Sequence, residues 1–292
     1  MSATPEPSAA RRVAVLAGRV GADEKRLFDA FERRNVPYEQ VDPRRLWFPS
    51  RREGPPWRLA LNREIGQVRA VYAARSLAAA GVDVVNSAGA TEVCGDKWLT
   101  TLALEAAGVP TPRTALGLTP QAALDALDAV GYPAVIKPLV GSWGRLVVEL
   151  PDRAAAEGVL QYAGALPGPQ SHLGYVQERI DKPDRDIRVI VVGGQVVGAV
   201  YRVGEALRTN VALGGRALPC PVTPEIEKLS LASAAAVGAD IAGVDLVEDR
   251  DGRLFVLEVN HRVEFSGFQA ALGDRVSVAD RVLDHLLERG RP

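Results

Sequence analysis

The sequence predicts a parallel α/β domain followed by an α+β region, and three observations lead to this fold class. Strand-like and helical segments alternate over the first 90 residues, which is typical of a small parallel α/β domain. Beyond residue 95, strand pairs joined by glycine turns predict antiparallel hairpins. The 292 residues are enough for two or three subdomains. We therefore predict three, over residues 1–95, 96–176 and 177–292.

The alternation can be followed element by element through the N-terminal domain. RRVAVLAGRV and VPYEQVD predict the first two strands. Between them, residues 23–34 have helical spacing, and Asp23 would be the N-cap. Residues 43–58 are rich in Pro and Arg and predict an irregular loop. VRAVYAARSLAAAG then predicts a helix ended by Gly81, and VDVVN predicts the next strand.

The rest of the chain predicts helices between hairpins. A helix runs from near Asp96 to Gly108, and another begins with Thr119 as its cap and Pro120 at its first position. YPAVIKPLVGSWGRLVVEL predicts a strand, a Gly-rich turn and a strand, followed by the helix RAAAEGVLQYA and the strand YVQERI. DIRVIVVGGQVVGAVYRV and IAGVDLVEDRDGRLFVLEVN predict two hairpins, with a helix over residues 224–237 between them. VADRVLDHLLER predicts the last helix.

The bulk composition is that of an ordinary globular protein, 47% hydrophobic and 24% charged. No apolar run approaches the roughly 18 residues needed to span a membrane. MSATPEPSAARR lacks the apolar core of a signal peptide, so we expect a cytoplasmic protein. Cys94 and Cys220 form no metal-binding pattern and are interpreted as small apolar residues.

Charge is distributed unevenly, although the net charge is only −1. Residues 1–75 hold 15 Lys+Arg and 9 Asp+Glu, whereas the remainder holds 20 and 27. The N-terminal excess includes a cluster of five arginines: Arg44, Arg45, Arg51, Arg52 and Arg58. Charge alone favours a solvated surface over a landing surface for an acidic partner.

The strongest group of candidate functional residues lies on the last predicted hairpin. Glu258 and Asn260 are two residues apart and therefore share one face of their strand. Asp245 on the partner strand can face them, and its neighbours are apolar. Two carboxylates and an amide oxygen suit Mg²⁺ bound together with phosphates. The alternative interpretation is that these are ordinary polar residues on the surface of a hairpin. We favour the metal site.

Two lysines are candidates for binding phosphate, in a chain with 30 Arg and only 5 Lys. Lys137 ends a buried-looking strand just before Gly141, Ser142, Trp143 and Gly144, a turn whose N–H groups could face phosphates. Lys97 lies in the first turn of a helix, where a cation opposes the helix dipole unless an anion binds nearby. The alternative interpretations are that the glycine-rich turn after Lys137 is only a hairpin turn and that Lys97 is only an exposed lysine.

Other site types have little support. Arg188 and Arg202 lie on the two arms of one predicted hairpin and need partners if buried; an anionic ligand, Asp186, Glu178 and Asp245 are the candidates. The sequence has no G-x-x-x-x-G-K-[ST] and no G-x-G-x-x-G after its first strand. The three histidines are scattered, which argues against a histidine metal site or a histidine-based triad.

The ordered motifs GDK, VIKP, GSWGR, VQERI, DIRV, RTN, VDL and LEVN resemble ATP-grasp ligases of the RimK/LysX family. GRVGADEKRLF and NHRVEF are similar to the branch that joins α-aminoadipate to an acidic amino-group carrier protein. The resemblance runs from about residue 12 nearly to the end. It implies an ATP-grasp fold with an N-terminal pre-ATP-grasp domain, and ligation through an acyl phosphate.

The resemblance also implies roles for individual residues. The nucleotide would be bound by Lys97, Lys137, the loop containing Gly141, Ser142, Trp143, Gly144 and Arg145, the hinge residues Gln177, Glu178 and Ile180, and Asp186. The γ-phosphate and acyl phosphate would be faced by Arg188, Arg202 and Asn210. Two Mg²⁺ ions, or Mn²⁺ in their place, would be bound by Asp245, Glu258 and Asn260. The amino-acid pocket would be lined by His261, Arg262, Glu264 and Phe265.

The implied partners are a small acidic carrier protein and an amino acid, in a homo-oligomeric enzyme with no nucleic-acid or membrane partner. With such a partner, the basic N-terminal region becomes a steering surface. Arg179 in the hinge, Arg262, and the continuation SGFQAALGDRVSVAD depart from the family pattern, so the amine substrate stays open. A RimK-like glutamate ligase and a non-catalytic nucleotide-binding regulator are the alternatives; a complete metal-ligand set argues against the second.

Overall fold

The computed structural model describes residues 12–50, 54–141, 146–204 and 216–290, and contains three sheets. One sheet is parallel and the other two are antiparallel, as the change of pattern near residue 95 predicts. No helix in these ranges is both long and apolar enough to cross a membrane.

The N-terminal sheet has the strand order β2-β1-β3-β4, and all its pairs are parallel. Its strands are β1 (Val13–Leu16), β2 (Tyr38–Val41), β3 (Leu59–Asn62) and β4 (Asp83–Val85). Helix α1 (Ala22–Arg33) and the C-terminal helix α9 (Val278–Arg289) pack on one face, and α2 (Gln67–Ala79) packs on the other. This domain therefore shares a hydrophobic core with the C-terminal part of the chain.

The central sheet is antiparallel, in the order β5-β8-β6-β7. Its strands are β5 (Thr114–Gly117), β6 (Ala134–Lys137), β7 (Val148–Leu150) and β8 (Gly174–Glu178). Helices α5 (Pro120–Val130) and α6 (Arg153–Ala165) cover one side and enclose a core of their own. Thr119 caps α5 by accepting a hydrogen bond from the Ala122 N–H, as predicted.

The C-terminal sheet is antiparallel, in the order β11-β10-β9-β12-β13. Its strands are β9 (Arg185–Val192), β10 (Gln195–Val203), β11 (Arg216–Cys220), β12 (Ile241–Glu248) and β13 (Leu254–Asn260). Both predicted hairpins are present, with positive φ at Gly193, Gly194 and Gly252 in their turns. Helices α4 (Lys97–Ala106) and α7 (Pro224–Ala236) pack on one face, and the other face contributes to the core shared with the N-terminal domain.

Several elements differ from the sequence prediction. Strand β3, strand β11 and the helices α3 (Ala88–Gly95) and α8 (Ser266–Leu272) were not predicted, and a short 3₁₀ helix (Pro43–Arg45) lies in the expected loop. The expected N-cap is also wrong, because Gly21 occupies that position of α1. Asp23 lies inside the helix and binds another part of the chain instead: it accepts hydrogen bonds from Phe265 N and Ser266 Oγ.

Candidate functional site

A cleft of about 650 Å³ lies between the N-terminal and C-terminal sheets. The carboxyl ends of the parallel strands β1 and β3 face it, which is where α/β sheets usually bind ligands. We call the side formed by β9, β10, β12, β13 and the start of α4 the hairpin end. The side where the N-terminal domain meets residues 261–266 is the interface end.

At the hairpin end, the predicted metal residues come together. Asp245 and Glu258 are direct partners across β12 and β13, next to a bulge. Asn260 Nδ2 lies 3.3 Å from Glu258 Oε1 and 3.5 Å from Asp245 Oδ2. Val244, Leu246 and Val259 beside them are fully buried, so this is a polar face within an apolar sheet.

The two arginines of the β9–β10 hairpin bind carboxylates of the same sheet. Arg188 Nη2 donates to Asp245 Oδ2 at 2.9 Å. Arg202 donates from Nε to Asp186 Oδ1 at 2.6 Å, and its Nη2 lies 3.1 Å from Asp245 Oδ1. Of the candidate partners, Asp186 and Asp245 are confirmed, whereas Glu178 binds Arg113. Both arginines also line the cleft, so they remain able to face an anionic ligand.

The two lysines approach the hairpin end from different elements: Lys97 begins α4 and lines the cleft, whereas Lys137 ends β6 of the central sheet and is not part of the cleft lining. Lys137 Nζ donates to Gln177 Oε1 at 2.6 Å, and Lys97 Nζ donates to the carbonyl of Gly141 at 3.0 Å. Asp96 caps α4 by accepting from the N–H groups of Trp98 and Leu99. Burial lowers the pKa of Lys137 to about 8; Glu258 opposes this shift and Lys97 adds to it.

The charges of the hairpin end leave a surplus of positive charge. Lys97, Lys137, Arg188 and Arg202 face Asp186, Asp245 and Glu258. Burial acts to raise the pKa of Glu258, but Lys97, the hydrogen bond to Asp245, Arg188 and Lys137 outweigh it, so the pKa falls well below the usual range. Burial raises the pKa of Asp245 despite Arg188 and Arg202. Four cations against three carboxylates suit a polyanion such as a phosphate chain.

The donor set of the hairpin end fits a divalent cation in part. Glu258 and Asn260 line the cleft with hard oxygen atoms of the kind that Mg²⁺ prefers. Asp245 lies deeper, and its buried Oδ1 has no well-formed hydrogen bond among the described residues despite the nearby arginines. No group of three His, Cys, Asp or Glu suited to a metal is found within these residues, so a bound ion would need oxygens from its ligand as well.

Of the residues predicted to bind the nucleotide, some lie within the described part of the chain and others lie outside it. Gln177 is buried; its Nε2 donates to Thr114 Oγ1 and Tyr175 Oη while its Oε1 accepts from Lys137. The Glu178 N–H donates to the Arg113 carbonyl, so a hinge contact from Glu178 would use its own carbonyl. Gly141 lines the cleft and Ile180 follows β8. Ser142, Trp143, Gly144, Arg145 and Asn210 lie outside the described residues.

At the interface end, His261 is oriented by the N-terminal domain. Its Nε2 lies 3.1 Å from Gln67 Oε1, and Gln67 Nε2 donates to the carbonyl of Thr91 at 2.7 Å. The Gln67 amide passes directly over Gly95, where a Cβ atom would lie 1.7 Å from Gln67 Nε2. Burial, with Arg63 and Arg262 nearby, lowers the pKa of His261 to about 4, so the ring is neutral at pH 7.

Arg262 joins a buried ion-pair network across the same interface. It donates to Glu24 Oε1 at 3.1 Å, and Arg63 donates to the same oxygen at 2.9 Å. Arg262 Nε donates to the carbonyl of Arg63, and Arg63 Nη1 to the carbonyl of Val263. Residues 261–266 are thus held largely by side chains that precede residue 70.

One predicted pocket residue has another position. Phe265 packs in the shared hydrophobic core with 2% of its surface exposed, and Phe268 lines the cleft instead. Glu24, Arg63, Glu64 and Gln67 were not predicted as site residues, although all except Arg63 line the cleft. Recognising LALN as a strand would have pointed to Arg63 and Glu64, because they follow its carboxyl end.

Together, a parallel N-terminal domain, two antiparallel sheets and a cationic cleft beside paired carboxylates define an ATP-grasp ligase. Residues 94–286 match the family model of the RimK-like ATP-grasp domain, and residues 13–93 match that of the LysX preATP-grasp domain. The chain belongs to the RimK-like ATP-grasp family, which confirms the resemblance, the fold and the ligase class. Enzymes of this family use ATP and a divalent metal ion.

Relatives of known name agree with this assignment. The glutamate–LysW ligase ArgX of Sulfolobus acidocaldarius is 30% identical over 277 residues, 94% of this chain and 98% of that protein. The α-aminoadipate–LysW ligase LysX of the same organism is 37% identical over 184 residues, 63% of this chain and 67% of that protein. A RimK-domain ATP-grasp protein from Sphaerobacter thermophilus has a TM-score of 0.79 at 26% identity, covering 94% of this chain and 99% of its own.

Proposed function

We propose that this ligase joins the α-amine of an acidic amino acid to the C-terminal glutamate carboxylate of a small acidic carrier protein. The observation that carries the proposal is one cleft with two different ends. Its hairpin end has the surplus positive charge that a phosphate chain needs. Its interface end is lined by Glu64, whose buried Oε2 has no hydrogen-bond partner among the described residues and suits an ammonium group, whereas Asp23 and Glu24 pair with Arg63 and Arg262. The likeness to ArgX over nearly the whole chain supports the carrier protein as the carboxylate donor.

The reaction begins with activation of the carboxylate. A carboxylate oxygen of the carrier attacks the γ-phosphorus of ATP, the bond to the β-phosphate oxygen breaks, and ADP leaves. Lys97 and Lys137 hold the phosphates, and Arg188 and Arg202 stabilise charge on the transferred group. A divalent cation held by Glu258, Asn260 and Asp245 would neutralise phosphate charge, and we propose two Mg²⁺ ions at this position.

The amide bond forms in the second half of the reaction. The substrate ammonium first loses one proton to solvent, and the amine nitrogen then attacks the acyl carbon to form a tetrahedral oxyanion. The bond between the acyl carbon and the phosphate oxygen breaks, and the departing phosphate takes a second proton from the nitrogen as the amide forms. The same two arginines can stabilise this oxyanion, because both line the cleft beside Glu258. The reaction needs no protein nucleophile, but water must be excluded because it would hydrolyse the acyl phosphate.

The carrier protein would approach over the basic N-terminal domain. Arg44, Arg45 and Arg58 are exposed in the structure, whereas Arg51 and Arg52 lie outside the described residues. An acidic partner would be steered to such a surface, and its association rate would fall with ionic strength. A homo-oligomeric assembly in the cytoplasm remains part of this proposal.

The test is ADP release with a panel of amino acids, each with and without the candidate carrier protein. We expect release only when ATP, a divalent cation, the carrier and an acidic amino acid are all present. Release that needs a small free acid in place of the carrier would favour the alternative of a RimK-like glutamate ligase. No release with any pair would contradict the ligase function and favour a nucleotide-binding regulator.

A further inference from the structure

Arg262 presents one side of its guanidinium to the cleft. Its Nε donates to the carbonyl of Arg63 at 2.9 Å, and its Nη2 donates to Glu24 Oε1 at 3.1 Å. The remaining nitrogen, Nη1, lies 3.3 Å from Oε1 of Glu264, whose side chain is 47% exposed. Arg262 and Glu264 both line the cleft. Nε and Nη2 therefore hold the guanidinium in place on the side away from the cleft, and Nη1 contacts the carboxylate of Glu264 at the cleft surface.

We propose that Arg262 determines specificity for the amine substrate by binding the carboxylate of its side chain, and that Glu264 occupies this position when no substrate is bound. The inference rests on the proposed function and deepens it. The substrate class is an α-amino acid with a side-chain carboxylate. Glu264 leaves Arg262 Nη1 when this substrate binds.

The charges of the network favour an exchange of one carboxylate for another. Behind the cleft surface, Asp23 and Glu24 face Arg63 and Arg262, two carboxylates against two guanidiniums. Glu264 adds one further negative charge at the surface. Replacing Glu264 by a substrate carboxylate leaves the charge next to Arg262 unchanged. A neutral side chain in the same position would separate Arg262 from Glu264 without supplying a new negative charge; the amide oxygen of glutamine could accept a hydrogen bond, but a weaker one than a carboxylate accepts.

Arg63 cannot have this role, although it is the other arginine of the network. Its side chain is 5% exposed, and its donors bind Glu24 and the carbonyl of Val263. Arg63 positions the backbone of residues 262–266, whereas Arg262 reaches the cleft. Because the guanidinium of Arg262 is already held in place, binding a carboxylate costs little further ordering of that side chain.

The test compares Glu264→Gln and Arg262→Gln with the wild-type enzyme. Substrates are glutamate and 2-aminoadipate, with glutamine as the neutral analogue of similar shape. Glu264→Gln removes the competing charge, so we expect a KM for the acidic amino acids that is lower by about 3- to 10-fold, and an unchanged KM for ATP. Arg262→Gln should reduce the preference for acidic over neutral substrate by about 10- to 100-fold, again at constant KM for ATP. Arg262→Lys should restore part of the preference.

The matched control is Glu248→Gln, the same substitution at the end of β12, where Glu248 binds Arg185. It should leave both KM values unchanged. An unchanged KM for acidic amino acids in Glu264→Gln, or an equal loss for acidic and neutral substrates in Arg262→Gln, would overturn the inference. So would a wild-type enzyme that prefers glutamine.

Calorimetric binding separates this inference from the proposed function. If the wild type binds glutamate or 2-aminoadipate and Glu264→Gln binds it more tightly, Arg262 has the proposed role even where no ADP is released, and only the ligase function fails. If ADP is released with the carrier but acidic and neutral amino acids react equally well, the ligase function stands and this inference fails. Glu264→Gln leaves the buried network intact, so the test does not depend on Arg262→Gln folding.

Discussion

The two ends of the cleft are built in different ways. The hairpin end brings together residues of neighbouring strands, in which Asp245 pairs directly with Glu258 and with Arg188. The interface end joins residues far apart in the chain: Arg262 binds Glu24 and the carbonyl of Arg63, 238 and 199 positions away. The hairpin end therefore depends on strand register. The interface end depends on docking of the N-terminal domain.

This difference implies that substitutions at the two ends should have different consequences. Removing a charged group at the hairpin end should slow the reaction, but it leaves the hydrogen bonds between the strands and the apolar residues beside them in place. Losing a charge at the interface end leaves other buried charges without partners and weakens the contact between domains. Activity should respond most at the first end, and stability together with the amine KM at the second.

The largest expected effect is that of Glu258→Gln at the hairpin end. The substitution keeps the shape of the side chain but removes a carboxylate that lines the cleft beside Asn260. We expect kcat to fall by about 10²- to 10³-fold, because the divalent cation that neutralises the phosphates would lose one of its carboxylate ligands. The protein should still fold, with a melting temperature lowered by the loss of a carboxylate that faces Lys97, Arg188 and Lys137. ADP release and thermal unfolding measure the two quantities.

The control for Glu258→Gln is Glu248→Gln, on the other strand of the same hairpin. Glu248 forms a partly exposed ion pair with Arg185, worth under about 1 kcal/mol. Its loss should change neither kcat nor the melting temperature measurably. Retained activity in Glu258→Gln would show that the metal has been placed at the wrong residue.

The second prediction concerns Glu24→Gln at the interface end. Glu24 is 1% exposed and accepts hydrogen bonds from Arg63, Arg262 and the N–H of Gly21. Removing its charge leaves two guanidiniums facing a neutral amide, so the free energy of unfolding should fall by about 3 kcal/mol. The KM for the amino acid should rise while the KM for ATP stays constant. Chemical denaturation and steady-state kinetics provide these measurements.

An exposed ion pair between α1 and α9 is the comparison for Glu24. Arg33 binds Asp280 there, with side chains 57% and 36% exposed. Asp280→Asn should cost under about 1 kcal/mol. Equal losses of stability in Glu24→Gln and Asp280→Asn would contradict a buried network at the interface end.

The two ends also differ in how much of them the sequence predicts. The period-two pattern predicts Glu258 and Asn260 on one face, with Asp245 of the partner strand able to face them, and the structure brings the three side chains together. The interface end depends on β3, which is four residues long, uniformly buried and without the alternation that marks a half-exposed strand. Because β3 was not predicted, Arg63 and Glu64, which follow its carboxyl end, were not predicted as site residues. Ion pairs between residues about 200 positions apart leave no local pattern.

The third prediction uses the pKa of Lys137, which burial lowers to about 8. As the pH rises through this value the side chain loses its charge, so kcat/KM for ATP should fall about tenfold between pH 7 and pH 9. Lys137→Arg should remove this pH dependence, because a guanidinium stays charged. The free energy of unfolding changes with pH in the opposite direction. In the unfolded chain Lys137 has its ordinary pKa of 10.5, so between about pH 8 and pH 10.5 the folded protein has lost this proton while the unfolded chain keeps it. Folding therefore becomes more favourable as the pH rises through this range. A flat profile in the wild type would exclude Lys137 from phosphate binding.

The smallest effect we predict is that of Gly95→Ala, which acts on the orientation of His261. The new Cβ would lie 1.7 Å from Gln67 Nε2, and the end of a flexible side chain can move away at low cost. Gln67 would then lose its contacts with the carbonyl of Thr91 and with His261. We expect the amine KM to rise about 2- to 10-fold and stability to fall by about 1 kcal/mol, with the KM for ATP unchanged.

Two comparisons make the Gly95 prediction specific. Gly89 lies in the same helix, and a Cβ there would meet only Ser87 Oγ at 4.0 Å, so Gly89→Ala should leave the amine KM unchanged. Gln67→Ala should reproduce the effect of Gly95→Ala, because both remove the same contact with His261. If Gln67 transmits the effect, Gly95→Ala adds nothing in the Gln67→Ala background. An additive double variant would mean that Gly95 affects the cleft by a route other than Gln67. An unchanged amine KM in Gln67→Ala alone would mean that His261 does not need this contact with the N-terminal domain for its orientation.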